Sequence, residues 1–130
     1  MAERNMLKLR RIYLPRTPSD GYRILVDRLW PRGLSKGKAH VDLWMKDIGP
    51  SDALRKWFGH DPKRWTAFRA RYWRELRQKA ELVGQLKELL KEHPLVTLLY
   101  SARDEQHNQA VALRAFLQRR PPAKAKLPGA

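Results

Sequence analysis

The apolar positions of the chain fall into two continuous runs and several periodic ones. The continuous runs are ILV at 24–26, inside YRILVDR (residues 22–28), and LVTLLY at residues 95–100. Short apolar runs rich in branched residues read as strands covered on both faces, so these two predict the centre of a sheet. Residues 6–14 (MLKLRRIYL) are similarly rich in branched and aromatic residues and stop at Pro15. They predict another strand, with Leu7, Leu9, Arg11 and Tyr13 on one face. Residues 41–46 alternate Val41, Leu43 and Met45 with Asp42, Trp44 and Lys46. That is the pattern of a short peripheral strand, although one helical turn also fits it.

Helical spacing fills the rest. Ser51 is a good N-cap, Leu54, Trp57 and Phe58 recur at helical intervals, and Gly59 supplies the stop. Asp61 and Pro62 restart a helix reaching to about Lys79, with Trp65, Phe68, Tyr72 and Leu76 on one stripe and Trp73 at its edge. After a break near Lys79, Leu82, Leu86, Leu89 and Leu90 form a second stripe, which Pro94 ends. Residues 106–119 place Ala110, Leu113, Phe116 and Leu117 on one face and predict the final helix. Pro15, Pro18, Ser19, Asp20 and Gly21 make one turn, and Pro31 with Gly33 forces another.

Strands separated by helices predict an α/β fold. The expectation is a single compact domain over residues 1–119, with a small, mostly parallel sheet flanked by about four helices. Right-handed crossovers would set the carboxyl ends of the two apolar strands on one rim.

Composition adds a charge and removes some chemistry. The chain has 130 residues, 42% of them hydrophobic, enough for one core. Lys and Arg number 28 against 13 Asp and Glu, a net charge of +15. Such a balance favours polyanionic partners, unless the excess simply solvates helix faces and a tail. Residues 120–130 (RPPAKAKLPGA) combine prolines and lysines without apolar periodicity and read as a disordered basic tail. There is no cysteine, which excludes disulfides and thiolate metal sites within the chain. No run of about 18 apolar residues exists, and the start, MAERNMLKLRR, lacks the apolar middle of a secretory signal. A cytoplasmic location without a membrane partner is therefore expected.

Polar residues gather where the two apolar runs end. Asp27, Arg28 and Arg32 follow the first; Ser101, Arg103, Asp104, His107 and Asn108 follow the second. Ligands of open α/β sheets collect outside the carboxyl ends of the strands, near the free N–H groups of the next helix. On this reading Arg28, Arg32 and Arg103 bind an anion and Asp27 orients an arginine. If the last helix begins early enough, Asp104 and His107 share a face with Asn108 and form a candidate catalytic acid–base pair. Structural roles compete for the same residues. Asp27 and its arginines suit a salt bridge at a strand end, and Ser101 with Asp104 fits a capping box. Arg69 falls inside the apolar arc of its helix, so it must snorkel out or meet an acceptor; buried beneath the cleft, it would pair with one of these acids.

Arg71, Arg74 and Arg77 form an outward stripe among aromatics that core packing largely explains, and they are candidates for phosphate contacts along a nucleic acid. His40, His60, His93 and His107 show no metal-ligand spacing, and GxxxxGK[ST], GxGxxG and GxSxG are all missing. Neither a metal nor a cofactor is expected. Two function classes follow. One is a small enzyme acting on an anionic, phosphate-bearing or nucleotide-like substrate at the strand-end cleft; a sensor that binds such an anion without chemistry uses the same cleft. The other is a non-catalytic nucleic-acid-binding module using Arg71, Arg74, Arg77 and the tail.

Three stretches taken together carry a resemblance: VDRLWPRGLSK (26–36), LRKWFGHDPKRWTAFRARYWREL (54–76) and LLYSARDEQHNQAVALRAFL (98–117). They resemble the YeaO-like branch of the domain of unknown function 488 family, over nearly the whole chain apart from the tail. The resemblance implies no established activity. Other branches carry a VDxR-x-x-P-x-S motif after an early strand and a CHR motif at the start of the last helix. By this resemblance Asp27 and Pro31 occupy the first motif, with Arg28 displacing the spacing of its arginine. His107 corresponds to the histidine of the second. Gln106 and Asn108 stand where its cysteine and arginine would be, which removes thiol chemistry here.

Overall fold

A computed structural model describes residues 6–119. The expected tail at 120–130 and the first five residues lie outside the described residues. Four strands, β1 (Met6–Arg11), β2 (Tyr22–Leu25), β3 (Leu43–Trp44) and β4 (Leu95–Tyr100), form one sheet in the order β1-β4-β2-β3, with every pairing parallel. Five α-helices connect and cover them: α1 (Lys36–Ala39), α2 (Asp52–Phe58), α3 (Trp65–Arg77), α4 (Ala80–Glu92) and α5 (Gln109–Gln118). The α/β class and the small parallel sheet match the expectation.

β4 is central because its residues are apolar on both sides. Val96, Leu98 and Tyr100 join Ile24 and Val26 in the larger core, against Phe68, Tyr72 and Leu76 of α3 and Ala110, Leu113 and Phe116 of α5. Leu99 and Leu25 point the other way, into a smaller cluster with Ile12 and Ala39, flanked by Trp30 and Trp44. Strand periodicity alone produces this division, since alternate residues face opposite sides. Leu7 and Leu9 of β1 pack on the larger core.

Local capping chemistry sets most helix ends. The Ser51 hydroxyl accepts from the Leu54 N–H and starts α2, while Gly59, at φ 52°, ends it. Asp61 accepts from the Lys63 N–H and starts a 3-10 turn, Pro62–Arg64, that leads into α3. α3 and α4 meet at Lys79, where a break is expected. Several boundaries differ from the reading of the sequence, among them β3, which covers only Leu43–Trp44 of the expected 41–46. β1 and β2 end at Arg11 and Leu25, three residues early in each case, although Ile12 and Val26 still donate to Tyr100 and Leu99 carbonyls at 2.8 and 3.1 Å. α1, a single turn capped by Ser35, lacks any apolar stripe to announce it. α5 starts at Gln109 because Asn108 takes the cap, which leaves 101–108 as a loop.

At Gly21 the chain turns into β2 at φ +64°, and a Cβ there would fall on the Leu95 carbonyl and side chain. Beneath it Asp20 and Arg23 form a fully buried ion pair. Arg23 also donates to the carbonyls of His40 (2.9 Å) and Ala39 (3.0 Å). Asp20 in turn accepts from the Thr17 N–H (3.1 Å) and hydroxyl (2.9 Å).

Candidate functional site

β2 and β4 are hydrogen-bonded neighbours, and the chain leaves them on opposite faces: toward α1 and the smaller cluster after β2, toward α5 and the larger core after β4. Divergent connections leave a crevice beyond the strand ends. Here it is a cleft of about 1000 Å³, lined from both predicted constellations.

Asp27 sits at its base, 7% exposed. Its carboxylate accepts from the Ser101 N–H beyond β4 at 3.0 Å and from the Gln109 side chain at the start of α5. Burial raises its pKa; the hydrogen bonds from Ser101 and Gln109 and the nearby charge of His60 pull partly the other way. Asp27 thus ties together both strand ends and the last helix, rather than orienting an arginine.

The arginines divide into committed and free. Arg28 donates to Pro50 (2.9 Å) and Gly49 (3.0 Å) carbonyls and lies 3.7 Å from Asp47, so it braces the loop before α2. Arg11 spends its Nε on the Ser101 and Ala102 carbonyls, at 3.1 and 3.0 Å. Arg32 and Arg103 are exposed at the cleft, and their side chains have no hydrogen bond or ion pair among the described residues. With Arg55, five arginines line the cleft against the two carboxylates of Asp27 and Asp104.

Asp104 and His107 do meet, but not on a helix. Asp104 Oδ1 accepts from the Gln106 and His107 N–H groups at 2.9 and 3.0 Å, and Oδ2 lies 2.9 Å from His107 Nδ1. The Gln106 N–H and the His107 ring, joined by the His107 N–H, hold the Asp104 carboxyl below its usual range. His107 packs edge-on against Trp65, with centroids 5.3 Å apart, and does not line the cleft. The capping box gives way to Asn108, which is buried; its Oδ1 accepts from Ala110 and Val111 N–H groups at 2.9 and 3.1 Å, and its Nδ2 donates to the Asp104 carbonyl at 2.9 Å. Ser101 contributes its backbone N–H to Asp27 instead of a cap.

Arg69 is corrected by the structure. It is exposed, lies outside the cleft and stacks over Trp73 at 5.4 Å, so no acid of the site accepts from it. Snorkelling along an aromatic face removes the need for a buried partner. In the outward stripe, Arg71 lies 4.2 Å over Trp57, with Arg64 at 5.0 Å over the same ring. Arg74 and Arg77 are exposed and unpaired among the described residues. Among those residues no cluster of three or more His, Asp or Glu side chains could hold a metal.

Reading the sequence missed Arg11, Arg55 and His60. Arg11 is counted there as a strand residue, Arg55 falls in a basic and aromatic stretch, and His60 in the turn between two helices; Arg11 reaches the cleft from the end of β1, beside β4, and Arg55 and His60 reach it from α2 and the turn that follows. For His60, the local signal is its place after the helix-ending Gly59.

These features define a small single-domain α/β protein with a cationic crevice at the junction of its two central strands. The match to the family described as "Inactive DUF488-N3 subclade" spans residues 6–126, and the chain belongs to the YeaO-like domain of unknown function 488 family. It is 44% identical over 112 residues to "Uncharacterized protein YeaO" of Escherichia coli (strain K12), covering 86% of this chain and 96% of that one. It is 36% identical over 120 residues to "Uncharacterized protein Rv3073c" of Mycobacterium tuberculosis (strain ATCC 25618 / H37Rv), covering 92% of this chain and all of that one. No solved structure matches. No helix among the described residues is long and apolar enough to cross a membrane.

Proposed function

We propose that the strand-end cleft binds a small phosphate-bearing or nucleotide-like anion and that the protein works by binding it, as a sensor or carrier. The observation that carries this reading is the excess of arginine over carboxylate in one cleft, with the Arg32 and Arg103 side chains exposed there and unpaired. An anion is what such a crevice attracts. The description of the matched family as inactive supports binding over turnover. So does the position of His107, since a general acid or base must lie within hydrogen-bond reach of the reacting group, and His107 packs on Trp65 outside the cleft lining. Asp104 and His107 then act as a clasp for the loop that carries Arg103.

A thermal-shift screen at two salt concentrations tests this, with nucleotides, sugar phosphates, simple oxyanions and short oligonucleotides. Stabilisation by a small anion, lost in Arg103→Ala and Arg32→Ala and kept in His107→Ala, is the expected result. Stabilisation by oligonucleotides alone, vanishing at the higher salt, would move function to the exposed Arg74 and Arg77 side of α3 and the tail.

A further inference from the structure

The cleft, at about 1000 Å³, is at the upper end of the range for sites that hold whole small molecules. A bare oxyanion on Arg32 and Arg103 would leave most of it unfilled. Tyr13 and His60 are the exposed rings in its lining, but the Tyr13 hydroxyl donates to the Arg32 carbonyl at 2.8 Å and Arg11 already lies 4.8 Å over its ring, so His60 is the exposed ring with no such engagement. Its imidazole has no hydrogen bond among the described residues and lies against Phe58, with centroids 6.3 Å apart and planes inclined by 53°.

A tight turn presents this ring. Gly59 and His60 have φ of 52° and 58°, the two central residues of a turn closed by the Asp61 N–H on the Phe58 carbonyl at 2.9 Å. Turns with two left-handed residues favour glycine, asparagine or aspartate, because a Cβ is disfavoured in that region. The helix is already terminated by Gly59, whose N–H bonds the Arg55 carbonyl. Histidine at the next position adds no cap, and like asparagine and aspartate it tolerates a positive φ, as His40 at φ 51° also does. The turn thus fixes the His60 backbone without using its side chain, which leaves the ring free to face the cleft it lines.

We propose that His60 holds the flat, ring-bearing part of a nucleotide while the arginines hold its phosphate, which makes the cleft selective for nucleotides over free phosphate. This rests on the anion-binding reading above. Imidazoles are among the side chains on which nucleobases stack, and the Phe58 ring behind His60 backs the ledge.

Calorimetric titration of the full chain with inorganic phosphate, adenosine 5′-monophosphate and uridine 5′-monophosphate tests it. The unaltered protein is expected to bind at least one nucleotide about tenfold or more tighter than phosphate, the scale of one stacking contact. His60→Gly, which accepts the left-handed turn without a Cβ, keeps or raises the melting temperature, loses that advantage and leaves phosphate affinity within about twofold. His60→Asn, which also tolerates the turn but carries no ring, gives the same loss. Equal affinity for nucleotides and phosphate in the unaltered protein overturns the inference and leaves anion binding standing. A His60→Gly variant that weakens both probes equally, or neither, also overturns it. Binding of none of the three overturns the anion-binding reading and this inference with it.

Discussion

Asp20→Ala is the perturbation whose outcome the structure determines most directly. Asp20 is fully buried and Arg23 is 2% exposed. Removing the carboxylate leaves the guanidinium with its bonds to the Ala39 and His40 carbonyls but with no counter-charge in direct contact. Breaking a buried pair by deleting one partner typically costs about 3–5 kcal/mol. With an unfolding entropy of about 2.1 cal/mol/K per residue, a chain of this length should lose about 10–20 °C in melting temperature.

The acid dependence supplies a second check. Burial alone would raise the Asp20 carboxyl, but hydrogen bonds from Thr17 and Arg23 and the nearby Arg10 outweigh it and hold it below its ordinary 3.8. A carboxyl depressed by folding stabilises the native state above its unfolded pKa, and that contribution is lost as pH falls through the folded value. The gap between wild type and Asp20→Ala should therefore be widest near neutrality and narrow in acid below pH 3.8. Urea unfolding at a series of pH values measures it. A loss under about 1 kcal/mol at pH 7, the range of an exposed pair, would refute the reasoning. So would a gap that does not change in acid. Asp20→Ala combined with Arg23→Met should recover much of the loss, since it leaves no fully buried charge unpaired; Lys8 and Arg10, which lie 3.4 and 3.6 Å from Asp20, are partly exposed and keep their hydration.

Asp27→Asn should raise stability at pH 8 relative to wild type and lose that advantage below pH 3.8. Burial raises the Asp27 pKa, so the carboxyl's stability contribution is full below its ordinary 3.8 and lost as pH rises through the folded value; a flat difference across pH in urea unfolding would contradict this. Gly21→Ala should unfold at markedly lower denaturant, by several kcal/mol on the order of other strained core insertions, because its Cβ meets Leu95. Gly33→Ala, at φ +72° but with open space around the added Cβ, should cost only about 1 kcal/mol, and equal losses for the two would refute the steric argument.

What was legible in the sequence was local. Ser51, Gly59 and Asp61 mark helix ends because each acts through hydrogen bonds to residues at most four positions away. The apolar runs at 24–26 and 95–100 mark the central strands because only a strand covered on both faces tolerates such a run. Asp27, Ser101 and Arg103 mark the strand ends for the same reason, and those ends do share one cleft.

What only the tertiary structure decided depends on residues far apart in the chain. Arg23 stands in an apolar strand with nothing in the neighbouring sequence pattern to assign it a partner, yet it is buried because Asp20 and the end of α1 meet it there. The late start of α5 follows from a choice between two good caps, Ser101 and Asn108, and the bond from the Ser101 N–H to Asp27, 74 positions earlier, goes with the choice of Asn108. Of four histidines, His60 reaches the cleft lining and His107 does not, because the turn after α2 opens onto the cleft while the Asp104 clasp holds His107 against Trp65. Periodicity and capping report the backbone's short-range hydrogen bonds; strand order, burial of charge and membership of the cleft are set by long-range packing, which no short window of sequence contains.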